Sequence, residues 1–284
     1  MKKRKFIGMA LGCVFALSCA MGVFTGTEKA LAADDTISVT IQIEGVSENY
    51  YYDTVETDKT CLEDVLAFID ETDDSLTINM VDSSYGGKYI SGINGDNEMQ
   101  FGGYDGWMFL VNGEESPVGI SSVTLNDGDN VVIYYSDAYG VGMQNPVADV
   151  TKIDEGILKV TSKDTIYDEN WNATASVNPV TGATIKWYNG DEYTEYITDE
   201  NGEILIPEEY LTNGEHKVSI EKYSDGAYRA PMVIRWAPDM KITIQKDVET
   251  GDSSLFGMSL VIAAASVLIA FMSYKITRKT PDSI

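Results

Sequence analysis

Apolar residues occupy every second position at Ile37, Val39, Ile41 and Ile43, the period of a strand with one buried face. Tyr50 to Val55 is spaced to return as its hairpin partner. The period then lengthens. Leu62, Val65, Leu66 and Ile69 stand at i, i+3, i+4 and i+7, which predicts one face of a helix. Thr60 and Glu63 have the spacing of a capping box at its start. Cys61, in that first turn, reads as a buried or half-buried inert thiol. Leu76, Ile78 and Met80 alternate again, and short apolar runs between glycine-rich turns follow. Two strands, a helix and further strands make an α+β order, with a sheet folded around one helix.

Gly140, Gly142, Asn145 and Pro146 interrupt the pattern, so residues 138–152 read as a linker between a first module at 34–137 and a second at 153–246. The second is predicted to be an all-β sandwich. Ala183, Ile185 and Trp187 alternate, Asn189-Gly190-Asp191 supplies a turn, and Tyr193 to Ile197 follows. His216, Val218 and Ile220 form another alternating run.

The two ends carry different patterns. Lys2-Lys3-Arg4-Lys5, an apolar run from Phe6 to Phe24, and Ala30-Leu31-Ala32 are the three parts of a secretory signal peptide, here 1–33. Leu255 to Tyr274 is an uncharged run of 20 residues, and at about 1.5 Å per residue it is long enough to cross a bilayer core. Lys275, Arg278 and Lys279 place the tail 275–284 in the cytoplasm. The expected class is therefore α+β followed by an all-β sandwich, with one C-terminal transmembrane helix after a juxtamembrane stretch at 247–254. That topology places the protein on the outer face of the membrane of a Gram-positive-style cell, or on its wall.

Charge and chemistry narrow the function. Between residues 30 and 274, 12 Lys and Arg face 43 Asp and Glu, a surface that repels nucleic acid and anionic lipid. Without the signal peptide Cys61 is the only cysteine, so no internal disulfide can form. His216 is the only histidine, which excludes histidine triads and histidine-based zinc sites. The acidic runs lack EF-hand spacing. No catalytic constellation and no metal ligand set emerge, and the chain reads as a binding protein rather than an enzyme.

Tyr85-Gly86-Gly87-Lys88-Tyr89-Ile90-Ser91-Gly92-Ile93-Asn94-Gly95 precedes Gly106-Trp107-Met108-Phe109-Leu110-Val111-Asn112-Gly113. Val118-Gly119-Ile120 and Leu125-Asn126-Asp127-Gly128-Asp129 come after. In this order the motifs resemble the DUF4430 family, the transcobalamin-like C-terminal domain, over roughly 36–137. The resemblance implies a β-grasp fold and a corrinoid ligand such as cobalamin, with no cofactor required otherwise. Tyr85, Tyr89, Tyr104 and Trp107 offer flat faces with polar edges for such a ligand, and Lys88 a cation. Trp107, Phe109 and Val111 also alternate as a core strand would, so Trp107 has a packing role as its alternative. The runs Thr198–Pro207 and Gly214–Lys222 resemble Ig-like or prealbumin-like stalk domains of bacterial surface proteins. Thr250-Gly251-Asp252 resembles a sortase sorting signal, with Asp247 and Val248 where the motif has Leu and Pro. The expectation is a surface-anchored protein that captures a corrinoid for an uptake transporter. A non-catalytic adhesin or structural surface protein is the alternative.

Overall fold

The alternation that opens the first module produces the strand it predicts, β1 (Ile37–Glu44), paired antiparallel with β2 (Asn49–Thr57). A computed structural model describes residues 36–137, 140–167, 173–225 and 229–246, all within one compact unit. After β2 come α1 (Leu62–Thr72), β3 (Ile78–Asp82), β4 (Lys88–Ile93), β5 (Asp96–Asn97), β6 (Gly106–Val111), β7 (Glu114–Glu115) and β8 (Asn130–Ser136). The main sheet runs β2-β1-β8-β6-β7, and its central pair β1–β8 is parallel. A smaller sheet, β3-β4-β5, stands beside it.

Leu62, Val65, Leu66 and Ile69 of α1 are buried with Val39, Ile41, Ile43, Val131 and Ile133 of the main sheet. The 3.6-residue period thus meets the two-residue period across one core. Each such aliphatic side chain contributes roughly 1.5–3 kcal/mol by leaving water. The helix start departs from the capping-box expectation. Cys61 is the cap residue and makes no side-chain capping bond. Glu63 instead accepts from the Ser121 hydroxyl and lies 3.4 Å from Lys88 Nζ. A bridge between Cys61 and Thr124 holds the entering chain extended, so tertiary partners replace the local cap. The Cys61 thiol is half-buried, with its sulfur 3.6 Å from the Ser121 carbonyl.

Beyond β8 come β9 (Pro146–Asp149), β10 (Ile157–Tyr167), β11 (Ala173–Pro179), β12 (Thr184–Asn189), β13 (Glu192–Ile197), β14 (Glu203–Leu205), β15 (Gly214–Glu221) and β16 (Lys241–Ile244). β9 falls within the stretch 138–152 expected as a linker and pairs with β10, so the second module takes it in. One sheet runs β11-β10-β14 with β9 also on β10, and the other runs β13-β12-β15-β16. Trp187, Ile185, Val218, Ile220, Leu158 and Val160 pack into one core. His216 is buried there, stacked on Trp187 with ring centroids 4.9 Å apart and its Nε2 2.7 Å from the Thr212 carbonyl.

The α+β class with a transmembrane helix does not describe this chain. The described residues are mostly strand, and α1, of 11 residues, is the one α-helix among them. No helix of the described residues is long and apolar enough to cross a membrane. The physical reason is that the 3.6-residue period extends over α1 alone, while the other regular elements of the described residues alternate in twos. The signal peptide 1–33, the run 255–274, and Thr250 with Gly251 lie outside the described residues.

The outer face of the main sheet is covered as well. Leu110 and Tyr134 on that face pack against Ile234, with Met143 at the margin. Gln42 and Glu44 of β1, whose alternation points them away from the first core, are buried.

Candidate functional site

Residues 97–105, between β5 and β6, lack any hydrophobic period, and their shape is set by one carboxylate. Asp105, only 2% exposed, accepts hydrogen bonds from the backbone N–H of Phe101 at 3.0 Å and of Gly103 at 3.1 Å. The Tyr135 hydroxyl donates to the same carboxylate and lies 2.8 Å from the Asn97 carbonyl. The loop closes on itself through Met99 N–H to Asp105 O at 2.8 Å and Gly102 N–H to Met99 O at 3.0 Å. Phe101 and Trp107 meet Tyr135 edge-on, at 5.7 and 5.4 Å between ring centroids. The loop is therefore wound around a fully buried tyrosine.

Electrostatics follow from this packing. Burial pushes the Asp105 carboxyl up, but the bonds from Tyr135, Phe101 and Gly103 outweigh it and hold the group below the usual carboxylate range. Burial, followed by the bond to Asp105, raises the Tyr135 hydroxyl far above its ordinary value. Both groups keep their native protonation through the neutral range, so the loop is pre-organised.

With Phe101 turned in, two side chains are turned out. Tyr104 is 82% exposed and Met99 is 58% exposed. Met99 has φ +61°, a left-handed conformation that costs a non-glycine residue roughly 1–2 kcal/mol. Such strain persists only where the surroundings over-determine it, and here Asp105 and Tyr135 do so. Tyr89 on β4 joins this surface: its hydroxyl donates to Glu98 at 3.1 Å, which raises its pKa. Glu98 in turn is tied to β4 by its N–H to the Ser91 carbonyl at 2.9 Å. Across the strand pair Tyr89 stands opposite Val81, and both are exposed.

The other residues expected at a site lie elsewhere. Tyr85, 99% exposed, is at the tip of the β3–β4 turn, which Ser83 N–H to Gly87 O closes at 2.8 Å. Gly87 is required there, because it has φ +68° and a Cβ would come within 2.7 Å of Ser121. Lys88 faces Glu63 at the helix start, and its N–H donates to Ser121 Oγ at 2.7 Å. Trp107 packs against the first core and donates from Nε1 to the Asp96 carbonyl at 3.0 Å. It lies under the loop rather than on it. The structure thus groups Tyr89 with the loop that carries Tyr104. Sequence reasoning missed Glu98, Met99 and Asp105, although Gly102-Gly103 before an aspartate is a turn signal.

Residues 68–137 match the family model described as Domain of unknown function (DUF4430). The matched range includes the whole 97–105 loop. A comparison with curated proteins finds no match. Among solved structures the chain is similar to haptocorrin in complex with Cbi, at 23% identity and TM-score 0.33, over 37% of this chain and 26% of that one. It is also similar to a candidate metal-binding protein from Ruminococcus gnavus ATCC 29149, at 17% identity and TM-score 0.29, over 35% of this chain and 96% of that one. The chain spans about a quarter of the haptocorrin chain. Likenesses of this size leave the functional reading to the site itself.

Proposed function

We propose that the DUF4430 module is a non-catalytic ligand-binding module working outside the cell, and that its capture surface is the 97–105 loop with Tyr89 beside it. The observation that carries this reading is the outward display of Tyr104 and Met99 by a loop whose backbone is fixed and strained. A loop whose backbone is already ordered gives up little further backbone entropy on binding, which is how pre-organised sites gain affinity. A tyrosine face with a polar edge and a polarisable thioether suit a broad, largely apolar ligand that carries hydrogen-bonding groups. The module has 20 acidic residues against two lysines between 36 and 137, which favours an uncharged or cationic ligand. A corrinoid, the ligand class implied by the transcobalamin-like motifs, has this chemistry and is the specific candidate. The basic and apolar start of the chain, with Ala30-Leu31-Ala32, supports the extracellular setting.

Fluorescence quenching tests the reading, because Trp107 lies beneath the loop. Titrating the purified chain with cyanocobalamin and with cobinamide should quench tryptophan emission saturably at micromolar concentrations. Emission unchanged by both, after correction for absorbance, would remove the corrinoid. The adhesin reading, in which the exposed tyrosines meet a macromolecular partner, would then lead.

A further inference from the structure

The turn between β1 and β2 is held from two sides, and the two grips belong to different parts of the chain. From the second module comes Arg235. Its Nε donates to Glu44 Oε2 at 2.7 Å, and its Nη2 donates to the carbonyls of Gly45 at 2.6 Å and Glu48 at 2.9 Å. Its Nη1 lies 3.4 Å from the Val46 carbonyl and 3.1 Å from the Tyr223 hydroxyl. Glu44, 3% exposed, also accepts at Oε1 from Gln42 at 2.7 Å and from Asn49 at 2.8 Å. Gln42 donates to the Arg235 carbonyl at 3.0 Å.

The other grip is Asp96. Its Oδ2 accepts from the Val46 N–H and from the Tyr50 hydroxyl, each at 2.7 Å. Its carbonyl accepts from Trp107 Nε1 at 3.0 Å, and its Oδ1 is 3.5 Å from Gln100 Nε2. Asp96 stands directly before the loop, and Gln100 is within it. Val46 therefore faces both ways: its carbonyl side meets Arg235 and its N–H meets Asp96.

We infer that Arg235 is a positioning residue for the capture loop, acting from the second module through the 45–48 turn and Asp96. A planar guanidinium offers donors in a fixed fork, so its satisfied contacts define one orientation of the turn. A buried ion pair by itself is weak evidence of net stability, whereas a fully satisfied polar network of this kind makes the region rigid. The second module is then part of the ligand-binding apparatus and not a mere spacer. The term capture loop rests on the function proposed above, but the mechanical coupling does not.

Hydrogen–deuterium exchange on the full chain tests the coupling without any ligand. In Arg235→Lys, which keeps the charge and loses the fork, the Val46 amide should exchange faster. The Met99, Phe101 and Gly103 amides should accelerate with it by about tenfold, as expected for a locally loosened segment. Amides of α1 and β12 should be unaffected. Asp96→Ala should accelerate the same loop amides while leaving the Ile234 amide, bonded to the Gln144 carbonyl, as in the wild type. Loop amides unchanged in Arg235→Lys while Val46 accelerates would overturn the inference, as would unchanged loop amides in Asp96→Ala. A parallel cobinamide titration of the wild type separates the two ideas. Coupled exchange without binding would sustain the positioning role and sink the ligand reading.

Discussion

The two modules solve the same packing problem and differ in what they leave unrelaxed. In the second, Trp187, His216 and the aliphatic residues of β10, β12 and β15 fill the space between two sheets. Among the described residues it has no non-glycine residue at positive φ, whereas the first has Asn94, Met99 and Asn112. The charge differs as well. Residues 36–137 hold 20 acidic and two basic residues, while 140–246 hold 18 and ten. Exposed aromatics also separate them: Tyr85 and Tyr104 project from turns and loops, while Tyr193 lies on a sheet face under the Lys186 ammonium, 5.2 Å from its ring centre. Strain, exposure and charge coincide in the first module, and that coincidence is why the binding surface is assigned there.

The comparison can be broken at several points, beginning with the largest effect. Trp187→Ala leaves a cavity in the second core and should cost about 3–5 kcal/mol in denaturant unfolding. A cost below about 1 kcal/mol would mean that this core is not the stabilising one. Asp105→Ala removes the acceptor of two N–H groups and the Tyr135 hydroxyl in a nearly dry site, and should cost about 2–3 kcal/mol.

The Asp105 loss should depend on pH. The folded pKa is depressed, so the stabilisation is present above the unfolded value near 4 and is lost as pH falls through the folded value. The gap between wild type and variant should therefore be full at pH 7 and narrow below about pH 4. A gap that is constant from pH 7 to 2.5 would contradict the carboxylate's role.

Met99→Gly should sharpen the contrast between stability and function. Glycine relieves the left-handed strain, so unfolding free energy should stay level or rise by up to about 1 kcal/mol, while corrinoid affinity falls. Equal affinity in the variant would remove Met99 from the surface. The smallest effect belongs to Tyr193→Ala, expected within about 0.5 kcal/mol of wild type in stability and without influence on ligand binding.

Much of this fold was legible where a period repeats. The alternation at Ile37–Ile43 gave β1, and Leu62, Val65, Leu66 and Ile69 gave the buried face of α1. Partners distant in sequence were not legible. Glu63 has a capping-box position, yet Ser121, 58 residues away, takes its carboxylate. Gln42 and Glu44 fall on the polar side of β1's alternation, which reads as solvent-facing, and their burial follows from Arg235 and the segment around Ile234 that covers this face. Tyr89 and Tyr104 were expected at a ligand surface for their flat faces with polar edges, and the structure places both side chains in the open. Asp105 and Met99 escaped because an acidic chain makes any one aspartate unremarkable, and a strained φ leaves no mark on residue type.

Calorimetric titration of the full chain with cobinamide, wild type beside Tyr104→Ala, tests the central claim most directly. The wild type should bind at micromolar concentration or tighter, about −8 kcal/mol or better. Tyr104→Ala should bind at least about tenfold more weakly, or 1.4 kcal/mol, with an unchanged melting temperature. No heat in the wild type, or equal affinities in the two proteins, would contradict it.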